Sequence, residues 1–574
     1  MGSMILRAAA LSAVVLGTTI ASAQAPPEWE GFDGDVVPGA LGMGALFGHA
    51  VTGLGDLDGF GAPGIAVGSP GRGSSFPGSV NAVGSAQFIW LDACGDYDDS
   101  TELTGQNLID NGIIGSQATK FGRSLAFLGD AAGKDGPVKL VAVGAPDLDL
   151  DFSAQPDGAV LVYSVRADAG ALTGSIVNEP LAFDGSANLK LLMGNPQLQG
   201  QTIKQYGWSV AGVGDIDGNG VGDLAVGDPQ YGGIGRVWIH LMEVNASGHV
   251  RAASTHEIGA GLASGIFVPG ELDAGDEFGS SLAGVGDVDG DEIPDLAVGV
   301  RHDDEVGPDW GDIWILFLNN DGTVRQKSRV GPKLQTPLKY LGHATAAAGD
   351  VDDNGVPDLL AANTVTEAVH TILLGYDMGA SDLTVDGSQA LSLANDCTGD
   401  CPAPGKAFGR DIAMMDDLDG NGTAELLVGV SESEYNNKPN VGSAWFRWDR
   451  GASPWMDLGN GLAGFHGIPE LHACGYLQPG YPVTVELSGA ITTPVMSLVI
   501  GLSALNAPLK GGVLVPALDA VIGIPSNVPG GFEFTVAWPP GVPPGTNIYL
   551  QVWLPDGAAP ANFAASNAIK GTTP

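Results

Sequence analysis

A short unit that recurs six times between Phe47 and Trp448 constrains the fold of this chain more than any other feature. Each copy opens with an aromatic residue or leucine followed by glycine, and two apolar runs with a turn-rich segment between them come next. The six opening pairs are Phe47-Gly48, Phe121-Gly122, Tyr206-Gly207, Phe278-Gly279, Leu341-Gly342 and Phe408-Gly409. Their spacing leaves room for four short strands and their turns, which predicts a repeat architecture of β-sheets.

The clearest copy spans residues 278–300, and its second apolar run has the period of a strand. Large Leu296, Val298 and Val300 alternate there with small Ala297 and Gly299. A period of two predicts a strand, and the difference in size predicts that its two faces meet neighbours at different distances. No segment of the chain shows a sustained helical period, so the pattern favours an all-β fold.

The loop inside this copy carries carboxylates at a spacing that suits a hard cation. Asp287, Asp289, Asp291 and Asp295 occupy loop positions one, three, five and nine. Such a turn can direct alternate carboxylates at one ion, as calcium requires because it takes several oxygen ligands. Gly290 permits the sharp bend. The alternative is that these residues only form side-chain-capped turns, but the same offsets recur in other copies, which favours a metal.

Four-stranded units arranged radially form a β-propeller, which leaves few sheet edges exposed. The chain before Phe47, PGALGMGALFG, resembles the chain before Phe278, PGELDAGDEFG. We therefore expect residues 28–46 to supply the last strand of the blade that begins at Phe408, and so to close the ring. This predicts six four-stranded blades. A seventh, degenerate blade between Ala361 and Lys406 is the alternative.

Both ends of the chain differ from the repeat. Arg7, the apolar run 8–20 and Ala21-Ser22-Ala23 are typical of a signal peptide, which predicts a secreted or cell-surface protein. No later apolar run has the length of a membrane helix, so we expect no transmembrane segment in the mature chain.

After the repeat, alternating runs separated by proline and glycine predict a β-sandwich-like module. The predicted parts are a signal peptide (1–23), a propeller (28–453) and a C-terminal module (460–574).

Charge and cysteine content narrow the class of partners and the compartment. The formal net charge of -42 repels nucleic acid and anionic lipid and attracts divalent cations, although it also serves solubility alone. Four cysteines fit an oxidising compartment. Whether Cys94 pairs with Cys474 stays open at this stage.

The opening pair, the DxDGxGxxD-like loop and the strand that follows resemble the FG-GAP repeat of integrin α-subunit propellers and of many secreted bacterial proteins. The resemblance covers roughly Phe47 to Trp448. It implies calcium in the loops at the rim of the propeller, about four Ca²⁺ sites in all. The implied ligands are Asp215, Asp217, Asn219 and Asp223; Asp287, Asp289, Asp291 and Asp295; Asp350, Asp352, Asn354 and Asp358; and Asp417, Asp419, Asn421 and Glu425.

Three loops depart from the family pattern. Glu425 stands where the others have aspartate, but its longer side chain can still reach an ion. Asp56 and Asp58 open a fifth, weak site in which two further ligand positions lack side-chain oxygens. The loop that follows Phe121 contains Lys134, which would repel a cation, so we expect no metal in that blade.

The favoured function is an adhesion or binding module for an extracellular protein or glycan. No catalytic motif is recognisable, although an extracellular polysaccharide-active hydrolase or lyase, or a structural envelope protein, are alternatives. The residue after each opening pair varies from copy to copy, and this ring could face a ligand or merely line a channel. Its members are His49, Arg123, Trp208, Ser280, His343 and Arg410. Trp238, Trp314 and Trp445 share one repeat position, which favours packing over sugar stacking.

Overall fold

The computed structural model describes residues 28–32, 45–56, 63–72, 83–91, 97–104, 119–133, 136–148, 158–165, 205–244, 250–262, 265–305, 307–308, 310–363, 365–392, 406–415, 424–433, 440–448, 455–475, 477–479, 482–491, 496–525 and 530–573. The predicted signal peptide lies outside these ranges. Within them, the regular elements are strands and three short 3₁₀ turns, at Tyr231–Gly233, Gly331–Lys333 and Pro560–Asn562. No helix in this part of the chain combines the length and the hydropathy that a bilayer crossing requires.

Six antiparallel sheets follow one another between residues 28 and 448 and form the blades of a β-propeller. Strands are numbered in chain order from β1 (Glu28–Phe32). Blade one has β2 (Ala50–Asp56), β3 (Pro63–Ser69), β4 (Ser85–Leu91) and β5 (Tyr97–Thr104). Blade two has β6 (Leu125–Gly133), β7 (Gly136–Ala145) and β8 (Ala159–Val165) among the residues described. Blade three has β9 (Ser209–Gly214), β10 (Asp223–Asp228), β11 (Arg236–Val244) and β12 (Val250–Ile258).

The remaining blades follow the same order. Blade four has β13 (Phe278–Gly286), β14 (Asp295–Val300), β15 (Asp312–Leu318) and β16 (Val324–Arg329). Blade five has β17 (Ala344–Gly349), β18 (Asp358–Asn363), β19 (Ala368–Asp377) and β20 (Asp382–Ser392). Blade six has β21 (Phe408–Met414), β22 (Leu426–Val430) and β23 (Ser443–Trp448), followed by β1 at its edge.

Strand β1 joins the start of the propeller to its end. It pairs antiparallel with β23, so that Glu28 lies opposite Trp448 and Phe32 lies opposite Ala444. The predicted all-β propeller is confirmed, and the described residues form six blades. The alternative of a seventh blade is wrong, because β19 and β20 lie in that interval and complete blade five.

In five of the six repeats, the opening pair makes a backbone contact between neighbouring blades. Phe47 forms a parallel bridge with Gly442 of blade six, and Phe121 forms one with Gly84 of blade one. The same bridge joins Gly158 to Tyr206, Gly235 to Phe278 and Gly311 to Leu341. The aromatic side chain is buried, and the glycine that follows brings backbone against backbone. The FG signature is therefore a packing requirement of the ring.

The hydrophobic core consists of clusters between adjacent blades rather than one central core. Leu296 and Val298 of β14 pack with residues of blade three, such as Val237. On the other face of the same strand, Ala297 packs in the cluster shared with blade five. At Gly299 a Cβ would lie 2.3 Å from the carbonyl oxygen of Gly342, so the small-residue face approaches its neighbour closely, as the alternation predicts.

The C-terminal residues form further sheets with their own core. The largest contains β24 (Trp455–Gly459), β27 (Met496–Gly501), β30 (Ala520–Ile524), β32 (Asn547–Pro555), β33 (Phe563–Ala565) and β34 (Ala568–Thr572). A second contains β25 (Glu470–Cys474), β26 (Pro482–Ser488) and β31 (Phe532–Ala537), and β28 (Ala504–Leu509) pairs with β29 (Gly512–Pro516). One hydrophobic cluster contains side chains of both larger sheets. The domain boundaries stay predictions. Cys474 is disulfide-bonded, and the other three cysteines lie outside the described residues.

Candidate functional site

Three acidic loops connect the first and second strands of blades three, four and five. In each, one oxygen from each of three carboxylates lies within 4.8 Å of the other two. The three sets are Asp215, Asp217 and Asp223; Asp287, Asp289 and Asp291; and Asp350, Asp352 and Asp358. Carboxylate oxygens are hard ligands, and such a cluster is compatible with a divalent cation.

The backbone of the loop holds the first carboxylate in place. Asp215 accepts the N–H groups of Asn219, at 2.9 Å, and Gly220, at 2.7 Å. Asn219 donates its side-chain amide to the carbonyl oxygen of Met242 and accepts the N–H of Val221. In the loop of blade five, Asp350 and Asn354 make the equivalent bonds with Gly355, Leu374 and Val356. Asparagine at position five thus ties the loop to the third strand of its blade.

The aspartate at position nine is buried in all three loops. Asp223 accepts backbone N–H groups from Ile216 and Met242, one at each carboxylate oxygen. Asp295 and Asp358 accept the corresponding pairs from the loop and the third strand. Burial, reinforced by the neighbouring carboxylates, raises the pKa of Asp223 and of Asp295 to about 7. Ionising these buried carboxyl groups costs free energy, and a nearby cation would offset that cost.

The loop of blade four contains a counterion of its own. Arg325 on β16 donates from Nη2 to Asp289 Oδ2, at 2.7 Å, and to Asp291 Oδ2, at 2.6 Å. Asp289 Oδ1 is buried and has no hydrogen-bond partner. One carboxylate oxygen of this loop therefore stays available as a metal ligand. Asp295, which the sequence placed with these ligands, lies outside the three-carboxylate cluster.

The remaining predicted ligands are only partly described. Asp58, Asp417, Asp419 and Asn421 lie outside the described residues; Asp56 ends β2, and Glu425 is buried. These two sites therefore stay predictions. In blade two, Lys139 forms an ion pair with Asp130 at 2.9 Å.

The variable ring surrounds one end of an axial cavity of about 250 Å³. All six residues that follow the opening pairs line it: His49, Arg123, Trp208, Ser280, His343 and Arg410. These residues lie at the start of each inner strand, whereas the acidic loops follow the end of the same strands. The propeller thus has a ring that contains arginine and histidine at one end of its inner strands and acidic loops at the other.

Side chains of the ring form a continuous network. Arg410 donates from Nη2 and Nε to Nε2 of His49, at 2.9 and 3.1 Å, and its Nη1 lies 3.3 Å from Nε2 of His343. Nη1 of Arg123 lies 3.0 Å from Nδ1 of His49, and its guanidinium stacks 3.8 Å from the ring centroid of Trp208. Every contact joins residues from adjacent blades, so closure of the propeller assembles the network.

Burial and repulsion between like charges lower the pKa values of the histidine and arginine side chains in this network. Burial, followed by repulsion from the arginines, lowers the pKa of His343 to about 3 and lowers that of His49 well below its ordinary value. Burial and the neighbouring guanidinium groups also lower the pKa values of Arg123 and Arg410. Both histidines are therefore neutral at pH 7.

Two lining residues were missed by sequence reasoning. Arg301 follows β14, and its guanidinium carbon lies 5.5 Å from the ring centroid of Trp208. Its backbone N–H donates to the hydroxyl of the small residue Ser280. Asp411 is the one carboxylate among the lining residues, and it accepts the N–H of Val51. Neither occupies the variable repeat position, so no periodicity could have singled them out.

Comparisons with known proteins agree with the repeat pattern. Residues 206–240 match the FG-GAP repeat, and residues 287–361 match the FG-GAP-like repeat. Human integrin alpha-IIb is 32% identical over 179 residues, which make up 29% of this chain and 15% of that protein. Integrin alpha-3 of Cricetulus griseus is 28% identical over 180 residues, or 31% of this chain and 16% of that protein. Human integrin alpha-7 is 32% identical over 171 residues, or 29% of this chain and 12% of that protein.

The chain therefore contains FG-GAP repeats and resembles the β-propeller of integrin α-subunits, as the sequence predicts. The matched region spans only 12% to 16% of the length of these three relatives.

Proposed function

We propose that this chain is a secreted or cell-surface, calcium-binding β-propeller that acts as an adhesion or binding module for an extracellular protein or glycan. The resemblance to integrin α-subunits supports a binding role over a catalytic one. The axial cavity does not favour a hydrolase of the two-carboxylate type, because a single carboxylate lines it.

The observation that carries the metal part of this proposal is the repeated geometry of the acidic loops. The loops of blades three and five hold three carboxylates together with the same backbone bonds, and the loop of blade four leaves Asp289 Oδ1 buried without a partner. The ligands would be the carboxylates of these three clusters, with Asn219 and Asn354 supporting two of the loops. Calcium would neutralise carboxylates that repel one another and pin the turn between strands. Its role is mainly structural.

Thermal unfolding in calcium and in excess chelator tests the metal. We expect chelation to lower the melting temperature by several degrees, since a ligand that binds only the folded state stabilises it by mass action. Asp352→Asn removes a clustered carboxylate and should reduce the difference between the two conditions. Asp353→Asn is the matched control, because Asp353 lies in the same loop outside the cluster and asparagine tolerates its φ of +58°. Identical melting curves with calcium and with chelator would rule out the metal.

Binding itself is tested with the calcium-loaded chain on a glycan array and on an array of immobilised extracellular proteins. We expect saturable binding to one of the two arrays that weakens in chelator. Loss of the glycan signal on replacement of exposed aromatic side chains would identify a lectin. Saturable binding to neither array would contradict the adhesion role and favour a structural envelope protein.

A further inference from the structure

The axial cavity concentrates positive charge in a strongly acidic chain. The protein has 24 lysine and arginine residues against 66 aspartate and glutamate residues. Yet the lining of the cavity includes Arg123, Arg301 and Arg410 and a single carboxylate, Asp411. One oxygen of Asp411 is already occupied by the N–H of Val51. The sign of the charge at this site is thus opposite to that of the molecule as a whole.

Surrounding acids neutralise these guanidinium groups only in part, although Asp411 attracts both Arg123 and Arg410. Among the described residues, Arg123 and Arg410 form no ion pair with a carboxylate and contact histidine rings instead. Arg301 alone has an acidic partner, because its Nε pairs with Glu277. Arg123 and Arg410 are half-buried, and removing a guanidinium charge from water without an anionic partner in direct contact is costly.

The network also has more hydrogen-bond donors than acceptors. Both ring nitrogens of His49 face arginine, Nδ1 towards Arg123 and Nε2 towards Arg410. A neutral imidazole has only one acceptor nitrogen, and a protonated one has none. At least one of the two arginines therefore points a donor at a group that cannot accept it. Nδ1 of His343 is buried and has no partner. An acceptor placed in the cavity would satisfy these donors.

The cavity has the size and the walls for a small anion. Its volume of about 250 Å³ admits a small oxyanion such as sulfate, phosphate or carboxylate but not a long polymer. Trp208 stacks against Arg123 at 3.8 Å and fixes the plane of that guanidinium. Planar guanidinium groups bind oxyanions through paired, charge-assisted hydrogen bonds, which requires this kind of orientation.

We infer that the axial cavity is an oxyanion-binding site, in which Arg123, Arg301 and Arg410 hold a sulfate, phosphate or carboxylate group. The group is either a free ion or the charged end of a larger molecule that enters the cavity at the ring. The inference goes beyond the proposed function and does not depend on it, because the ring and the calcium loops lie at opposite ends of the inner strands.

Isothermal titration calorimetry of the full mature chain at pH 7, with sodium sulfate and sodium acetate in a background of constant ionic strength, tests the site. We expect saturable binding of at least one of these anions. Arg410→Gln should raise its dissociation constant at least tenfold. Arg251→Gln is the control, since Arg251 lies on β12 and pairs with Glu243 outside the cavity, and it should leave the affinity unchanged.

A second measurement keeps the test independent of folding defects. Sulfate should change the fluorescence of the wild-type chain in a saturable way, and Trp208→Phe should abolish that change while circular dichroism stays native. Glucose 6-sulfate, with glucose as the uncharged comparison, separates the two sources. Tighter binding of the ester than of sulfate assigns the site to a larger ligand, and the reverse assigns it to the free ion. The absence of saturable binding for sulfate, acetate and the ester, or equal affinity in Arg410→Gln, would overturn the inference, whatever the outcome with calcium.

Discussion

The glycine of each opening pair shows how a single residue position sets the spacing of the blades. Gly48 has a φ of +77°, and a Cβ there would lie 2.0 Å from the carbonyl oxygen of Ser443 in blade six. We predict that Gly48→Ala lowers the free energy of unfolding by about 3 kcal/mol or more, because strain and overlap add.

Gly261 supplies the matched control for this prediction. Its φ is +76°, but a Cβ there meets no heavy atom within 4 Å. Gly261→Ala should therefore cost only about 1 kcal/mol, the backbone penalty alone. Urea unfolding of both variants measures the two losses, and equal values would contradict a close approach between blades one and six.

His240 makes the stability of the fold depend on pH. It is buried on β11, where its Nε2 lies 2.5 Å from the hydroxyl of Tyr206 and its Nδ1 lies 2.9 Å from that of Thr255. Burial lowers the pKa of His240 from 6.5 to about 4. The unfolded chain therefore binds more protons than the folded chain between these values. Stability from this group is complete above pH 6.5 and is lost as the pH falls towards 4.

We predict that His240→Gln removes this component of the pH dependence. Between pH 7 and pH 5 the wild-type chain should lose about 2 kcal/mol more than the variant does, as the shift of one buried group allows. His466→Gln is the control, because His466 is exposed in the C-terminal part of the chain. If His240→Gln and the wild-type chain lost the same free energy on acidification, the buried neutral histidine would not be the cause.

Among the elements, the fourth strand of a blade determines how an acidic loop is neutralised. A register shift in this strand leaves one residue unpaired in each of four blades, at Asp98, Ala253, Arg325 and Asp386. Only Arg325 supplies a cation, and it bonds Asp289 and Asp291 in the loop of its blade. The guanidinium group of Arg325 thus supplies part of the positive charge that a bound metal ion would bring to this loop.

We predict that Arg325→Ala makes the protein more dependent on calcium. Without metal, the variant leaves Asp289 and Asp291 facing each other unneutralised, so it should melt below the wild-type chain. With calcium, the ion no longer competes with a guanidinium, and the calcium-induced rise in melting temperature should exceed that of the wild-type chain. Calorimetric scans with and without calcium measure both, and Arg251→Ala controls for the loss of a surface arginine. A calcium-induced rise no larger than in the wild-type chain would refute the competition.

These elements also show what could be predicted from the sequence. The strands of the repeat and the acidic loops are local patterns, since their ligands lie within nine positions of one another, and the structure brings three carboxylates together in each of three loops. The position of Asp295 outside its cluster could not be predicted from the loop spacing, because Asp295 accepts the same pair of backbone bonds as Asp223 and Asp358, which lie inside theirs. Arg325 reaches its loop through a strand bulge, and Arg301 and Asp411 reach the cavity through closure of the ring. Neither cause leaves a periodic signal in the sequence.

For the whole molecule, closure of the ring depends on the five residues of β1, which come from the far end of the propeller sequence. They pair along β23 and cover the edge of blade six. Because a bare strand edge exposes unpaired N–H and C=O groups, it is a template for association with another chain. The first strand of the propeller therefore protects the last blade and links the stability of blade six to that of the ring.

We predict that a mature chain lacking residues 28–32 melts at a lower temperature and self-associates at concentrations where the complete chain is monomeric. A synthetic peptide of residues 24–40 should restore both properties in trans, since the backbone pairing with β23 does not require a covalent link. Removal of residues 24–27 alone is the control and should change neither. Thermal scans with light scattering after size exclusion measure the two effects. If the shortened chain melted and eluted like the complete one, β1 would be dispensable and closure would depend on the direct contacts between blades one and six, such as the bridge between Phe47 and Gly442.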